Sequence, residues 1–279
     1  MPKPIANAQP SIDPSTLSVA QFDGKKDYIE VGFQEVLNPP QFTVECWAKV
    51  TGGQGSWRSP ITSRGEGPLA GYIIYAGQNN KWQFWIGSGG SWSTYQGPAI
   101  KLNAWTHCAG SYDGEVMRFY VNGKEVGSPV TAPLTLNTRF PLRIGTGCTE
   151  QSPQFFFNGQ IAEVRVWNCV RTPEEIQDYM NQRCTGKEPS LVAYWPLSDS
   201  AGESAKDQTR SVNHGVLQGA TWNTTDDLPL TTPEPPKQSY VPTSQTGLQD
   251  YSYWCQYVKD QAKKSDKDPK SFRRGRIWA

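Results

Sequence analysis

Hydrophobic and polar residues alternate along most of residues 17–228. In the run FTVECWAKV, Phe42, Val44, Cys46, Ala48 and Val50 share one face, with polar residues and one Trp between them. Similar short runs include LSVAQFDG, DYIEVGF, SPITSR, AGYIIYAG, KWQFWIG, WSTYQG, RFPLRIGTG, LVAYWPLSD and GVLQGATW. A period of two predicts β-strands with one buried face. The pattern therefore predicts an all-β domain.

Two segments define the expected local structure further. The stretch WTHCAGSYDGEVMRFYVNGKEVG contains Asp113-Gly114 and Asn122-Gly123, dipeptides that favour type I′ hairpin turns, so it predicts a three-strand meander. In FFFNGQIAEVRVWN, strict alternation puts Ile161 and Glu163 on one face of the strand and Val164 on the other. The helix predicted next begins at a Thr172 cap and runs to about Arg183.

Composition agrees with short strands and many turns. Aromatic residues make up 12% of the 279 residues, and there are 26 Gly and 22 Pro. No run approaches the 18 apolar residues of a membrane span, and a net charge of +1 argues against nucleic-acid binding. The N-terminal residues do not resemble a secretory signal. We therefore expect a cytoplasmic protein by default, or one exported or displayed as part of an assembly.

The chain divides into four predicted parts. An extended arm covers 1–16 and the β domain 17–228, followed by a Pro-rich linker over 229–246. Residues 247–279 are predicted to form an amphipathic helix and a basic aromatic tail, with eight Lys and Arg against four Asp and Glu. This segment has a net charge of +4, which leaves −3 on the rest of the chain.

Residues 229–279, the linker together with the C-terminal segment, are predicted to bind a protein partner or a second copy of the chain. An isolated helix of this length is marginal in water, so its apolar face needs a surface to pack on. Aromatic residues and arginines are also enriched at interface hot spots. The predicted partner-binding residues are Leu248, Tyr251, Trp254, Val258, Phe272, Arg273, Arg274 and Trp278, with Cys255 on the same helical face.

The order of motifs over residues 17–222 resembles the laminin-G-like branch of the concanavalin-A-like lectin/glucanase family, which includes the pentraxins. The motifs are SVAQFDGKKDYIEVG, FTVECWAKV, the meander stretch, FNGQIAEVRVWNCVRTPEEI and the closing segment from LVAYW to GATW. The resemblance implies a jelly-roll sandwich of two antiparallel sheets, in which loops at one rim supply any binding site. It does not cover the chain beyond residue 230.

No catalytic residue is predicted. Glucanases of the wider family use paired carboxylates on one strand, and this chain has no E-x-D-x-x-E run. Glu45 and Glu163 are expected to be isolated on their strands, each solvated or locally hydrogen-bonded. His107 is expected to pack within a strand, and His214 to lie exposed in a turn.

The resemblance also raises calcium as a cofactor. The acidic candidates are Asp23, Asp199 and Asp207, because calcium prefers oxygen ligands. However, the family often has Ile-Asp-Glu where this chain reads Ile161-Ala162-Glu163, which removes one acid. No cofactor and no metal ligand are therefore predicted, and calcium remains open.

The six cysteines are expected to be reduced. They show neither zinc-finger spacing nor a C-x-x-C motif, and Cys46 and Cys108 fall in the middle of strands. A Cys148–Cys184 disulfide remains an alternative only in an oxidising compartment.

Glycan binding would require flat aromatic rings and neighbouring polar groups. The candidates in Gly- and Ser-rich stretches are Trp57, Arg64, Trp92 and Tyr95, with Arg58 directly after Trp57. Packing against the core or a sheet face is the alternative, above all for Trp82, Phe84 and Trp85. The sequence thus predicts a non-catalytic recognition module acting as a structural or accessory subunit of a larger assembly, anchored by its tail. The alternative is a soluble carbohydrate-binding lectin, with or without calcium.

Overall fold

The fold is seen in a computed structural model that describes residues 17–231. The predicted arm over 1–16, most of the linker and the whole C-terminal segment lie outside the described residues. The strands are β1 Leu17–Asp23, β2 Tyr28–Val31, β3 Phe42–Val50, β4 Arg58–Glu66, β5 Leu69–Ala76, β6 Lys81–Gly87, β7 Trp92–Ala99, β8 Trp105–Tyr112, β9 Val116–Val121, β10 Lys124–Glu125, β11 Val130–Thr131, β12 Leu142–Ile144, β13 Asn158–Trp167, β14 Leu191–Trp195, β15 Ser204–Ala205, β16 Gly215–Gln218 and β17 Thr221–Thr225. One α-helix, α1 Pro173–Tyr179, and one 3-10 helix, Glu35–Leu37, complete the described elements.

These strands form two antiparallel sheets. Sheet A has the order β10-β9-β8-β3-β13-β1-β17, with β11 pairing β9 and β14 pairing β13. Sheet B has the order β15-β16-β2-β12-β4-β5-β6-β7. The two sheets pack face to face, which confirms the predicted all-β jelly-roll sandwich with one short helix.

The main core lies between the sheets and follows the period-two pattern. The predicted inner face of β3, from Phe42 to Val50, is fully buried and contacts inner side chains of β5 and β6 such as Ile74 and Phe84. Burial of such apolar surface is the dominant stabilising contribution. Trp82 and Phe84 belong to this core, as the alternative interpretation expected.

The outer face of sheet A is covered. Ile176 of α1 packs on Ala109 and Tyr120, while Trp47 lies in a second cluster with Leu228. The indole Nε1 of Trp47 donates to the Met180 carbonyl at 2.6 Å, which holds the segment after α1 on the sheet. No equivalent cover by a helix exists on sheet B among the described elements, so the two outer faces are unequal.

A β-bulge changes the expected alternation in β13. The β13–β3 register shifts between Ala162 and Arg165, and Glu163 has a φ of 54°. Because the bulge adds a residue, Ile161 and Val164 both face the core. The prediction that these two side chains point to opposite faces was wrong.

The turns agree with the sequence at one hairpin and differ at the other. Asn122 and Gly123 have φ values of 51° and 73° and join β9 directly to β10, as a type I′ turn requires. Three residues separate β8 from β9, and only Gly114 among them has positive φ. There the Asp113 carboxylate accepts the N–H groups of Glu115 and Val116, so the type I′ prediction was wrong at this hairpin.

The helix has the predicted start but ends earlier. Thr172 and Glu175 form a reciprocal capping box ahead of the first turn. The helix ends at Tyr179, four residues before Arg183, because the carbonyls of Tyr179 and Gln182 turn towards the buried Arg165 guanidinium.

All five described cysteines are free, and Cys46 faces Cys108 across β3 and β8. No helix within residues 17–231 has the length and apolarity needed to cross a membrane.

Candidate functional site

The outer face of sheet B carries a cluster of aromatic side chains, which we call the aromatic face: Trp57, Tyr75, Trp85 and Trp92. The strand register explains why they meet. Trp85 of β6 pairs with Ile73 of β5 and Thr94 of β7, and period two places all three on the outer side. Trp57 immediately precedes β4 and approaches the same surface.

Of the four contacts between these rings, two are edge to face and two are tilted. The Trp57 centroid lies 5.0 Å from Tyr75 and 5.2 Å from Trp85, and the Trp85 centroid lies 6.2 Å from Trp92. The three tryptophans are half-buried, whereas Tyr75 is only 3% exposed and forms the floor. Contacts of this kind hold the rings in fixed orientations while part of each indole faces solvent.

Polar side chains border the rings and fix Trp85. The indole Nε1 of Trp85 donates to Gln83 Oε1 at 2.8 Å, and Gln83 Nε2 donates to Asn79 Oδ1 at 3.1 Å. Asn79 in turn donates to Gln96 Oε1 at 3.0 Å. The amide groups of these side chains and the hydroxyl group of exposed Thr94 thus lie beside the aromatic rings.

Arg64 supports this surface from below. Its guanidinium makes a bidentate pair with Glu150 at 3.0 and 2.6 Å and lies 5.3 Å from the Trp92 ring. It also contacts Glu66 and donates to the Tyr75 hydroxyl at 3.3 Å. Burial acts to raise the pKa of Glu150, but backbone N–H groups and the Arg64 charge outweigh burial and lower it.

A rim pocket of about 360 Å³ adjoins the aromatic face at Trp57. Arg58, Gln78, Phe155 and Asn158 also line it. Phe155 packs its ring 6.2 Å from Tyr75 and has a φ of 59°, a strained value for a bulky residue. Its carbonyl accepts the Ser59 N–H at 3.0 Å, which ties this loop to β4.

A larger cavity of about 750 Å³ lies elsewhere, between the loops around Pro39 and Asn137. Phe33 is its only aromatic lining residue and Glu35 its only charged one. Size alone would favour this cavity. The aromatic face offers the better combination of fixed rings and polar neighbours, so we take it as the candidate site.

Three of the predicted binding residues meet at this site and one does not. Trp57 and Trp92 lie on the aromatic face, and Arg64 lies beneath it, 4% exposed. The structure corrects the placement of Tyr95, which points inward from β7 into the main core and donates its hydroxyl to the Ser128 carbonyl. The predicted partner-binding residues of the C-terminal segment lie outside the described residues.

The sequence pattern did not single out Tyr75 as a site residue, and it placed Trp85 only among packing residues. The signal was available in principle, because alternation puts Tyr75 on the face opposite Ile74, and Trp85 opposite Phe84. What the sequence lacked was the β5–β6 register that brings the two rings to 5.3 Å.

The glutamates expected to be isolated are joined in a buried network. Arg165 donates to Glu45 Oε1 at 3.5 Å and to Glu163 Oε2 at 3.0 Å. His107 Nε2 lies 3.0 Å from Glu45 Oε2, and Tyr194 donates to Glu163 Oε2 at 2.6 Å. All five side chains are buried, so the network stabilises sheet A and does not form an open cleft.

The acidic residues considered for calcium organise loops. Asp23 accepts the backbone N–H groups of Lys25, Lys26 and Asp27, and buried Asp207 accepts those of Tyr194, Thr209 and Asn213. Asp199 accepts the Lys206 N–H at 3.2 Å. Exposed His214 accepts the Asp207 N–H at 3.0 Å. Within residues 17–231, no group of three or more His, Cys, Asp or Glu side chains is arranged to hold a metal.

Two antiparallel sheets packed face to face in this order define the jelly-roll class of β protein. Residues 23–177 match the family model of the concanavalin A-like lectin/glucanases superfamily. Since this match covers more than half of the chain, the protein belongs to that superfamily, as its motifs suggested.

Sequence relatives share part of this chain. Pappalysin-1 of Mus musculus is 25% identical over 182 residues, which are 58% of this chain and 11% of that protein. Pappalysin-1 of Homo sapiens is 26% identical over 178 residues, 56% of this chain and 10% of that protein. The chain thus spans about a tenth of the length of these curated relatives.

Solved structures share the fold. A candidate carbohydrate-binding protein from Bacteroides ovatus superposes with a TM-score of 0.61 and 22% identity, covering 77% of this chain and 61% of that one. A heptameric SAP-like pentraxin from Limulus polyphemus gives a TM-score of 0.53 and 13% identity, covering 79% of this chain and all of that one.

Proposed function

We propose that this protein is a non-catalytic recognition module that binds carbohydrate on its aromatic face. The observation that carries the proposal is a set of three half-buried tryptophans fixed on the open side of sheet B, while sheet A is covered. Indole faces suit the apolar faces of pyranose rings, and neighbouring amides and hydroxyls suit their hydroxyl groups. The Bacteroides ovatus structure is consistent with this proposal.

A glycan array followed by calorimetry tests the proposal. We expect Trp85→Ala, which removes the central ring, to weaken binding of an array ligand at least about tenfold, or ~1.4 kcal/mol. Trp57→Ala and Trp92→Ala should weaken it less, because each removes a peripheral ring. Trp222→Ala is the matched control, a half-buried Trp on β17 of sheet A. If the wild-type chain binds no glycan, or if Trp85→Ala binds as well as wild type, the proposal is wrong.

A second role concerns the C-terminal segment and rests on a sequence observation. The net charge of +4 over 247–279, with Phe272 and Trp278 on either side of three arginines, favours a segment that binds another protein or a second copy of the chain. The module would then serve as an accessory subunit of a larger assembly.

Size-exclusion chromatography and co-purification test this role on the full chain. We expect the combined replacement of Phe272 and Trp278 by Ala to abolish co-purification of a partner or to reduce self-association. Replacing exposed Leu102 and Val216 of the β domain by Ala is the control. Unchanged association of the tail variant would contradict the anchoring role and leave the glycan proposal unaffected.

A further inference from the structure

Arg58 differs from the other buried arginines in having no acidic partner. Arg64 and Arg165 each contact two glutamates, and Arg143 pairs with Glu30 at 2.8 Å. Arg58 is 1% exposed, and no carboxylate of the described residues lies within ion-pair distance of it. A buried charge without a counter-charge is costly, so an unpaired guanidinium beside a cavity indicates a place for an anion.

The neutral contacts of Arg58 hold its side chain but do not balance its charge. The guanidinium donates to the carbonyls of Gly52 at 2.7 Å and Gly77 at 3.3 Å, and to Asn80 Oδ1 at 3.0 Å. Its Nε has no hydrogen-bond partner within the described part of the chain. Burial lowers the pKa of Arg58, yet a guanidinium stays protonated at neutral pH.

The rim pocket beside Arg58 is suited to a negatively charged group. Its volume of about 360 Å³ lies in the range of small-molecule sites, and no Asp or Glu lines it. Gly53 packs closely against the Arg58 side chain, because a Cβ at that position would lie 2.9 Å from Arg58 Cδ. The adjacent loop carries exposed Lys25 and Lys26, but Asp23 and Asp27 in the same loop balance them, so Arg58 is the charge that this pocket offers to an anion.

The pocket is also continuous with the aromatic face. Trp57 belongs to both, and Phe155 of the pocket contacts Tyr75 of the face. A saccharide chain stacked on Trp57 and Trp85 would therefore bring its next residue to the mouth of the pocket. Phe155 and Trp57 would pack on that residue while Arg58 attracts its charge.

We propose that the rim pocket binds an acidic sugar residue, one bearing a carboxylate or a sulfate, at the end of a glycan held on the aromatic face. This inference rests on the proposed function. The charge of Arg58 supplies the attraction, and the two aromatic walls supply the shape. The ligand class is thus an anionic oligosaccharide.

An array of matched pairs tests the inference on the full chain. Each acidic oligosaccharide is printed beside a neutral counterpart. For a uronic acid the counterpart is its methyl ester, and for a sulfated sugar it is the desulfated form. We expect at least one acidic member to bind about tenfold or more tightly than its neutral partner. This preference should shrink as ionic strength rises, because salt screens the attraction. The two kinds of pair distinguish carboxylate from sulfate, and a preference for either supports the proposal.

A variant that fills the pocket leaves Arg58 in place and so avoids the risk of unfolding. Gln78 is exposed at the pocket, and we expect Gln78→Trp to reduce the acidic preference to less than twofold while binding of neutral glycans persists. Gln41→Trp is the matched control. Gln41 is exposed just before the start of β3, whereas the pocket lies beyond the end of β3, so this variant should keep the preference.

The outcomes separate the two proposals. Equal binding of acidic and neutral partners by the wild-type chain, with both lost in Trp85→Ala, would overturn the acidic-sugar pocket and leave the aromatic face standing. An acidic preference that survives Gln78→Trp would also overturn the pocket. Binding to no member of the array would overturn both.

Discussion

At the scale of single residues, the buried network around Glu45 couples stability to pH. Burial acts to raise the pKa of Glu45, but the hydrogen bond from His107 and the charge of Arg165 outweigh burial and lower it to about 2. The Trp167 indole adds a 2.8 Å hydrogen bond. A carboxyl with a lowered folded-state pKa stabilises the protein above its ordinary pKa of 4.5, and this contribution is lost as pH falls towards 2.

We therefore expect the wild-type free energy of unfolding to fall by about 3 kcal/mol from this group between pH 4.5 and 2. Glu45→Gln should lower the free energy of unfolding at neutral pH by about 3–5 kcal/mol, because Arg165 loses a buried partner. The free energy of unfolding of this variant should also fall less steeply than that of wild type as the pH is lowered. Urea denaturation at several pH values measures both effects. Glu174→Gln, on the exposed side of α1, is the control. If the free energy of unfolding of Glu45→Gln fell with pH as steeply as that of wild type, the coupling would be contradicted.

Burial also predicts which thiols react. Cys46 and Cys108 are fully buried, and burial raises the pKa of each. Burial likewise raises the pKa of Cys148 to about 11 and that of Cys184 to about 12. Since the thiolate is the reactive form, we expect native iodoacetamide treatment near pH 8 to label half-buried Cys169 first among these five.

Peptide mass spectrometry reads out this order. Full denaturation should make all five residues reactive at similar rates. Fast labelling of Cys46 or Cys108 in the native protein would contradict the buried β3–β8 pair.

At the scale of elements, Gly110 of β8 lets the Phe84 ring of the opposite sheet pack directly against the β8 backbone. A Cβ at Gly110 would lie 2.4 Å from the Phe84 ring, which also stacks on Phe119 at 6.1 Å. Gly110 does not adopt a positive φ, so a larger residue at this position is excluded by packing and not by backbone strain. We expect Gly110→Ala to destabilise the protein by about 1–3 kcal/mol.

A double-mutant cycle tests that contact. Gly110→Ala should cost less when Phe84→Leu is also present, giving an interaction energy of about 0.5 kcal/mol or more. Gly32→Ala is the control, because no atom lies within 4 Å of its built Cβ, and it should change stability by less than about 0.5 kcal/mol. Strict additivity of the two substitutions would show that the ring is not the obstacle.

At the scale of the whole molecule, the inequality of the two outer faces defines the candidate site. Ile176 of α1 and the segment through Met180 cover sheet A. Sheet B keeps Trp85 and its neighbours partly open. On the same molecule, the Asp23 and Asp207 carboxylates accept backbone N–H groups and hold their loops.

Calcium should consequently have little effect on the intact fold. We expect the melting temperature to differ by less than about 1 °C between millimolar calcium and EDTA, since a ligand of the native state would raise it. Differential scanning fluorimetry measures this, with magnesium as the ionic-strength control. A rise of several degrees specific to calcium would contradict the expectation.

The sequence by itself determined the strands, the order of the motifs and therefore the fold. Period two acts over neighbouring residues, so the inner face of β3 from Phe42 to Val50 could be assigned without any structure. The Thr172 cap and the Asn122-Gly123 turn are local in the same way. Where local rules met a non-local cause, as at the Glu163 bulge, the sequence-based assignment failed.

Only the tertiary structure decided which side chains meet. Trp57 and Trp85 are 28 positions apart and come together through pairing of β4, β5 and β6, and no local pattern specifies that register. The same holds for Glu45 and Arg165, joined across β3 and β13, and for Tyr95, whose face depends on where β7 lies against the core. Long-range pairing sets these contacts, because it selects one partner strand among many with similar patterns.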